Sequence, residues 1–165
     1  MSVHSAGLLL YRVQPAFEVL IAHMGGPFWA RKNEGAWSIP KGEFDPAEES
    51  AADAAAREFH EELGVAAPAV PFAELGTFAY ASGKRVTVFV ADGADLDLDG
   101  VRFGEFELEW PPRSGRTASF PEVDRVDWVT PDRAKELLVT GQRPAIDALV
   151  AARSAAESSP AAERR

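Results

Sequence analysis

The segment SAADAAAREFHEELG, residues 50–64, constrains the fold more than any other part of this 165-residue chain. Ser50, with Asp53 three positions later, forms a capping box, and Gly64 suits the left-handed residue that closes a helix. Apolar residues recur between them at spacings of three and four, as on one face of a helix. They are Ala52, Ala55 or Ala56, Phe59 and Leu63. The segment therefore predicts an amphipathic helix that packs on a larger hydrophobic layer.

A second helix start competes with Ser50. Asp45 offers a side-chain cap, Pro46 takes the first helical position and Glu48 takes the third, which is also a typical N-terminal pattern. The sequence leaves both starts open, whereas Gly64 fixes the end of the helix.

Apolar runs on both sides of this helix predict the strands of a sheet. The runs at 6–13 and 17–23 are separated by a Gln-Pro break, and residues 105–109 alternate strictly, as in a half-buried strand. Further strands are predicted at 74–80, 85–92 and 125–129, and helices at about 131–139 and 143–153. The predicted loops are 24–37, 38–50, 92–100 and 110–124. Strands that alternate with helices favour an α/β fold, with a mixed sheet covered on both faces.

The length and charge of the chain limit what it can do. A single domain over residues 1–153 fits the length, and residues 154–165, which lack an apolar period, predict a disordered tail. Seventeen basic residues against twenty-six acidic ones leave a formal charge of −9. This balance argues against nucleic-acid binding, which needs clustered Lys and Arg. A small phosphate ligand stays compatible with it, provided that metal ions screen the repulsion.

The chain has no Cys, which excludes disulfides and thiolate chemistry. The opening residues MSVHSAG carry no basic run before a long apolar run, so neither a signal peptide nor a membrane span is predicted. We expect a cytoplasmic protein, monomeric or homodimeric, whose partner is a small molecule rather than nucleic acid or a membrane.

Three carboxylates, Glu58, Glu61 and Glu62, share one face of the predicted helix because positions i, i+3 and i+4 are neighbours. Their mutual repulsion costs only about 0.2–0.5 kcal/mol per pair when the side chains are exposed. An acidic face that simply lies in solvent is therefore one interpretation. The other is a site for Mg²⁺ or Mn²⁺, since hard cations prefer oxygen ligands and link carboxylates to substrate phosphates.

The residues around these glutamates favour the second interpretation. The chain contains Gly42, Glu49 and then 57-REFHEELGV-65. This resembles the signature of the Nudix hydrolases: Gly, five residues, Glu, seven residues, then Arg-Glu-apolar-x-Glu-Glu-x-Gly-apolar. Six residues, rather than five, separate Gly42 from Glu49, and counting five selects Glu48 instead. A one-residue insertion that leaves Glu49 in the family position keeps Ser50 as the helix cap.

The likeness extends beyond the signature. An Ala-Gly-apolar first strand, a Trp-x-x-Pro approach from Trp37 to Gly42 and a late Trp-Val strand ahead of a helix are all similar to this family. The resemblance implies a Nudix-type α/β/α sandwich with a mixed sheet, in which the signature forms a loop–helix–loop unit.

The resemblance also implies roles for the signature residues. Glu58 and Glu62 would be the principal ligands of Mg²⁺ or Mn²⁺, and Glu61 would bind the metal or hold a metal-bound water. The backbone carbonyl at Gly42 would complete the metal shell. Arg57 would brace a signature carboxylate, because a guanidinium fork fixes a carboxylate in one orientation. Direct contact of Arg57 with the substrate is the alternative.

The general base in this family comes either from a signature Glu or from a carboxylate on a distant loop. Glu122, in 120-FPEVD-124, is the distant candidate. Glu107 and Glu109 are its rivals, and an ordinary exposed carboxylate is the alternative for each of the three.

Residues outside the signature suggest a substrate. Lys41, in 39-IPKGE-43, resembles the Pro-Lys-Gly of members that act on dinucleoside polyphosphates and diphosphoinositol phosphates. Tyr80 lies near the position of a base-stacking Tyr in the dinucleoside polyphosphate group, although a strand Tyr is more often packing. Trp29, Arg31 and Lys32 could stack on a base and meet phosphate, or belong to an ordinary exposed loop.

These features predict a metal-dependent hydrolase that cleaves a phosphoanhydride bond in a nucleoside diphosphate linked to another group. The preferred substrate class is dinucleoside polyphosphate. The alternatives are a pyrophosphohydrolase that cleanses the nucleotide pool of nucleoside triphosphates, and a Nudix module that binds nucleotide without hydrolysing it.

Overall fold

The apolar runs seen in the sequence form the strands of one main sheet and one small hairpin. The computed structural model describes residues 4–158. Its strands are β1 His4–Arg12, β2 Glu18–Met24, β3 Trp37–Ser38, β4 Lys41–Glu43, β5 Ala73–Ala79, β6 Arg85–Asp92, β7 Glu105–Glu109, β8 Thr117–Pro121 and β9 Val123–Val129. Its α-helices are α1 Ala51–Leu63, α2 Pro131–Leu137 and α3 Arg143–Glu157. Short 3₁₀ turns lie at Leu98–Gly100 and Thr140–Gln142.

Strand β1 lies in the centre of the main sheet, and its residues 5–10 are all buried. It runs parallel to β6 and antiparallel to β2, and its first residues also pair with β4. Strands β3 and β9 both pair with β2, while β5 pairs with β6 at the other edge. One parallel pair among antiparallel ones makes this the mixed sheet that the sequence predicts.

Both faces of the main sheet are covered by helices. Successive side chains of a strand point to opposite faces, so Leu8 and Leu10 of β1 pack with Phe59 of α1, whereas Leu9 packs with Ile146 of α3. Helix α2 covers the same face as α3. The predicted α/β/α sandwich is therefore confirmed.

Helix α1 begins at the second of the two predicted starts. The Ser50 hydroxyl accepts a hydrogen bond from the backbone N–H of Asp53 at 3.1 Å, and Gly64 closes the helix with φ 70°. Asp45 caps only a turn, since its carboxylate accepts from the backbone N–H of Ala47 at 2.9 Å. The start at Asp45 was wrong because its turn is completed before the helix begins.

The buried face of α1 differs slightly from the predicted stripe. Its fully buried residues are Ala54, Ala55, Phe59 and Leu63. Ala52 and Ala56 are partly exposed. The first turns of α1 therefore face the sheet through Ala54 and Ala55. Spacing alone does not show which of the several alanines in this segment are the buried ones.

Three predicted loops contain strand residues. Strand β3 joins the end of 24–37 to the start of 38–50 and pairs with β2. Residues 38–50 include β4, which pairs with β1, and residues 110–124 include β8, which pairs with β7 along its whole length. In β8, residues 117-TASFP-121, Phe120 is the one large apolar residue, so the hydrophobic pattern is too weak to mark a strand. Its formation depends on the backbone hydrogen bonds that β7 supplies.

The last helices differ in length from those predicted. Helix α2 ends at Leu137, two residues early, and α3 continues to Glu157. Residues 154–157 of the predicted tail are therefore helical, and residues 159–165 lie outside the described range. Between residues 4 and 158, no helix has the length and apolar character needed to cross a membrane.

Gly64→Ala is expected to lower the free energy of unfolding by about 3 kcal/mol or more, measured by equilibrium urea denaturation. The left-handed backbone costs a non-glycine residue about 1–2 kcal/mol, and here a Cβ would also lie 2.2 Å from the carbonyl oxygen of Arg102. Gly35 is the matched control, because it has φ 71° with nothing within 4 Å of its Cβ position. Equal losses for Gly64→Ala and Gly35→Ala would contradict the predicted collision.

Candidate functional site

The three glutamates on the acidic face of α1 differ in exposure. The exposed fraction of the side chain is 13% for Glu58 and 54% for Glu61, while Glu62 is half-buried. Gly42 of β4 lies against Glu58, since a Cβ at Gly42 would come 2.0 Å from the Glu58 carboxylate carbon. The missing side chain at position 42 therefore provides the space that Glu58 occupies.

Lys41 of β4 lies near Glu62, the last carboxylate of this acidic face. Burial, together with the charges of Glu122 and Glu58, raises the pKa of Glu62 to about 8 against the opposing effect of Lys41. Burial also raises the pKa of Glu58, with Glu61 and Glu122 adding to the rise. Burial lowers the pKa of Lys41, and the positive charge of Lys84 lowers it further. Such perturbed groups gathered in one place are typical of functional sites.

Arg57 holds several of the carboxylates. Its Nη1 donates to Glu58 at 2.8 Å and to Glu61 at 3.2 Å, and its Nε donates to Glu49 at 3.1 Å. The hydrogen bond from Arg57 lowers the pKa of Glu49, whereas Glu48 is exposed. The structure thus places Glu49, rather than Glu48, in contact with Arg57. The Arg57 guanidinium contacts carboxylates of the protein, as expected of a residue that braces them.

Glu122 lies between β8 and β9, near the end of α1. Its backbone N–H donates to the carbonyl of Gly104 at 2.8 Å, and its carboxylate would be 3.6 Å from a Cβ at Gly104. The same Cβ would lie 2.7 Å from the carbonyl oxygen of Glu61. Because the charge of Glu122 also raises the pKa of Glu58 and Glu62, the predicted distant carboxylate is brought next to the acidic face.

The rival carboxylates of β7 point elsewhere. Phe106 and Leu108 line a cavity together with Glu122. Side chains alternate along a strand, so Glu107 and Glu109, which are exposed, project from the opposite face of β7. The topology therefore favours Glu122 over both rivals.

The loop after β2 carries the predicted stacking residues. Trp29 lines the same cavity as Glu122, and the ammonium of Lys32 lies 5.3 Å from the centroid of the Trp29 ring. Arg31 is exposed. The fully buried His23 anchors this loop, because its Nε2 contacts the Lys32 carbonyl at 2.6 Å and its Nδ1 contacts Asp124 at 2.7 Å.

Tyr80 has a packing role in the structure. Gln142 donates to its hydroxyl at 2.8 Å, and a Cβ at Gly141 would come 2.3 Å from the Tyr80 ring. The buried Gln142 also donates to Ser38 at 2.9 Å and accepts from the backbone N–H of Ile39 at 2.7 Å. Tyr80 thus helps to fix the segment that leads into β4, and one part of its ring is covered by backbone.

Residues 4–158 contain no group of three or more Asp, Glu or His side chains arranged to hold a metal ion. Arg57 forms ion pairs with Glu58 and Glu61 at 2.8 and 3.2 Å. These two side chains therefore contact a protein cation where the sequence predicts a divalent metal ion.

Some residues of the site could not be found from the sequence. Gln142 carries no local signal, and its importance depends on contacts with residues more than sixty positions away. Phe106 and Leu108 belong to a strand that the sequence does predict. Their alternation with Glu107 and Glu109 predicts that the two pairs lie on opposite faces of the strand. It does not show that Phe106 and Leu108 are the pair that lines the cavity.

Comparisons with known proteins identify the family of this chain. The NUDIX domain profile matches residues 1–149, and no curated protein sequence matches the chain. A binary complex of a C. elegans Ap4A hydrolase has 22% identity, covers 92% of this chain and 98% of that chain, and gives a TM-score of 0.65. A MutT protein from Methanosarcina mazei Go1 has 19% identity over 92% and 95%, with a TM-score of 0.59.

A third similar structure is the NUDIX domain of Shewanella oneidensis NrtR complexed with ADP ribose. It has 15% identity, covers 93% of this chain and 89% of that chain, and gives a TM-score of 0.62. At these identities the structures show a common fold. The profile match, which spans most of the sequence, shows more: this chain belongs to the Nudix hydrolase family.

Proposed function

We propose that this enzyme hydrolyses a phosphoanhydride bond in a nucleoside diphosphate linked to another group. One observation carries the proposal: the strand that contains Lys41 and the segment that contains Glu122 both lie against the acidic face of α1. Three elements far apart in the sequence supply these groups. The arrangement is suited to phosphate chemistry because it combines a base, a cation and several oxygen ligands.

The oxygen donors are of the kind that a divalent cation requires, although two of them contact Arg57 in this arrangement. Glu58, Glu61 and Glu62 lie on one helix face, and Gly42 offers a backbone carbonyl where a Cβ would collide with Glu58. Hard cations such as Mg²⁺ and Mn²⁺ are held by oxygen donors of this kind. When bound, the cation polarises phosphoryl oxygens and makes a bound water easier to deprotonate. We propose Mg²⁺ as the cofactor, with Mn²⁺ as the alternative.

Glu122, Lys41 and Arg57 have separate roles in the proposed reaction. A water oxygen attacks one phosphorus of the substrate, the bridging P–O bond breaks, and Glu122 accepts the proton of the water. Lys41 places positive charge beside the phosphate chain, where charge builds up in the transition state. Arg57 keeps Glu49 and Glu58 in fixed orientations.

Dinucleoside polyphosphate is the proposed substrate class. Lys84 is close enough to Lys41 to lower its pKa, so two cations are available to an extended phosphate chain. The similarity in fold to an Ap4A hydrolase supports this choice, as does the Pro-Lys-Gly sequence at Lys41. Ordinary and oxidised nucleoside triphosphates are the competing substrates.

A substrate screen tests the proposal. The protein is incubated with diadenosine tetraphosphate, ADP-ribose, a diphosphoinositol phosphate and ordinary and oxidised nucleoside triphosphates, with Mg²⁺ or with chelator, and products are separated by ion-exchange chromatography. We expect diadenosine tetraphosphate to be cleaved fastest and only with Mg²⁺. Turnover that persists in chelator, or no turnover of any compound, would contradict the proposed hydrolysis. Faster cleavage of a triphosphate would contradict the substrate class alone.

A further inference from the structure

A cavity of about 600 Å³ lies between the segment that follows α1 and the loop that follows β6. We call it the loop cavity. Most of its lining residues are apolar, and they include Val65, Pro68, Val70 and Leu96. Val70 is 39% exposed, so the apolar wall is open to solvent. A concave apolar surface of this volume is within the range of small-molecule sites.

The loop cavity is separate from the proposed reaction centre. Its lining contains none of the glutamates of α1 and neither Lys41 nor Glu122. It lies beyond the end of α1, where the backbone N–H of Arg102 donates to the carbonyl of Leu63 at 2.7 Å. A ligand in the loop cavity would therefore occupy a site of its own rather than a part of the proposed substrate site.

Backbone contacts hold one wall of the loop cavity in place. The N–H of Gly93 donates to the carbonyl of Tyr11 at 2.8 Å, and the N–H of Leu96 donates to the carbonyl of Gly93 at 3.0 Å. A Cβ at Gly93 would lie 2.9 Å from the Cβ of Leu10, so the loop begins in close contact with β1. The cavity is therefore formed before any ligand binds.

The polar side chains of the lining are carboxylates without a cationic partner. They belong to Asp92, Asp95 and Asp97, which are exposed. Asp92 and Asp97 each accept a backbone N–H two positions later in the chain at 2.9 Å. Within residues 4–158, none of the three forms an ion pair. Three negative charges thus border an apolar surface with no protein cation to neutralise them.

We propose that the loop cavity binds a small organic cation, a protonated amine that carries an apolar body. The apolar wall takes the hydrocarbon part out of water, and the carboxylates accept charge-assisted hydrogen bonds from the ammonium group. An anion of the same shape is repelled by the three aspartates. An inorganic cation leaves the apolar wall in contact with water. The volume of the cavity favours a free small molecule over a segment of a protein partner.

Nuclear magnetic resonance titration of the ¹⁵N-labelled protein tests this assignment with matched ligands. Hexylammonium combines cation and chain, ethylammonium keeps the cation with a shorter chain, and hexan-1-ol and hexanoate keep the chain with a neutral or negative head. Burial of one CH₂ strengthens binding about fourfold. We therefore expect hexylammonium to shift the amide signals of residues 65–70 and 92–100 and to bind about tenfold or more tightly than each of the other ligands.

The double variant Asp95→Asn/Asp97→Asn tests the carboxylates. Asn can still accept the backbone hydrogen bond that Asp97 accepts from Asp99, so the loop should keep its conformation. Because one exposed charge contact is worth up to about fivefold in affinity, we expect hexylammonium to bind this variant about tenfold more weakly. The affinity for hexan-1-ol should stay within about twofold. Glu107→Gln/Glu109→Gln is the matched control, since it removes the same net charge from exposed residues of β7.

Four results would overturn the proposal. No binding of hexylammonium at the loop cavity would do so, as would equal affinities for ethylammonium and hexylammonium. An equal loss in the double variant and its matched control would show that only the net charge of the protein matters. Shifts of the same amide signals with protein concentration in the absence of ligand would place a second copy of the chain there instead. None of these readouts involves turnover, so the loop cavity and the proposed hydrolysis are tested independently.

Discussion

Glu62→Gln is expected to reduce kcat by about a hundredfold or more in Mg²⁺. Loss of a group that merely supports a metal ligand costs about 10–100-fold, and Glu62 is proposed to bind the metal itself. Gln has the shape of Glu and lacks the negative charge that holds a divalent cation. The measurement is the steady-state rate on the best substrate of the screen, together with the Mg²⁺ concentration that gives half-maximal rate, which should rise.

The same variant should fold as well as the parent. Burial raises the pKa of Glu62 to about 8, so at pH 7 and without metal the parent holds this carboxyl mostly protonated. An uncharged amide of the same shape replaces it at little cost, and melting temperatures in chelator should agree to within about 2 °C.

Glu48→Gln is the matched control for Glu62→Gln. It makes the same chemical change at an exposed residue close to α1 in sequence, and it should leave kcat unchanged. Full activity of Glu62→Gln would remove Glu62 from the metal shell. A loss in both variants would indicate a general need for negative charge rather than a defined ligand.

The parts of the site that could be predicted are those whose signals are local. Ser50 marks the start of α1 through its side-chain hydroxyl, and Gly64 marks the end through its backbone N–H. A helix of known ends places Glu58, Glu61 and Glu62 on one face. The residues of this face are therefore determined by spacing alone. The burial of these glutamates cannot be predicted from spacing, because it depends on Gly42 and Lys41 of strand β4.

The parts that could not be predicted depend on the topology of the sheet. Strand β8 forms because β7 pairs with it, and this hairpin both lines the cavity beside Glu122 and directs Glu107 away from Glu122. The choice between Glu48 and Glu49 likewise follows from the reach of Arg57. Each of these features joins residues far apart in sequence or on different elements, which no spacing rule describes.

Arg57 decides between two roles that the sequence leaves open, a brace for carboxylates and a contact with substrate. Its hydrogen bonds to Glu49, Glu58 and Glu61 favour the brace. Arg57→Lys retains the charge and loses the planar fork that holds several carboxylates at once. We therefore expect kcat to fall by about 10–100-fold, while KM stays within about threefold because a brace for carboxylates does not contact the substrate.

Glu49→Gln completes this test, since in the structure Glu49 is held by Arg57 through its carboxylate. If Arg57 acts by orienting carboxylates, loss of this partner lets the guanidinium shift, and kcat should fall by about tenfold. The double variant should then be no slower than Arg57→Lys alone, because both changes break the same interaction and residues in one network are not additive. Steady-state kinetics of the parent, the two single variants and the double variant complete this double-mutant cycle. A raised KM in Arg57→Lys, with a fully active Glu49→Gln, would assign Arg57 to the substrate instead.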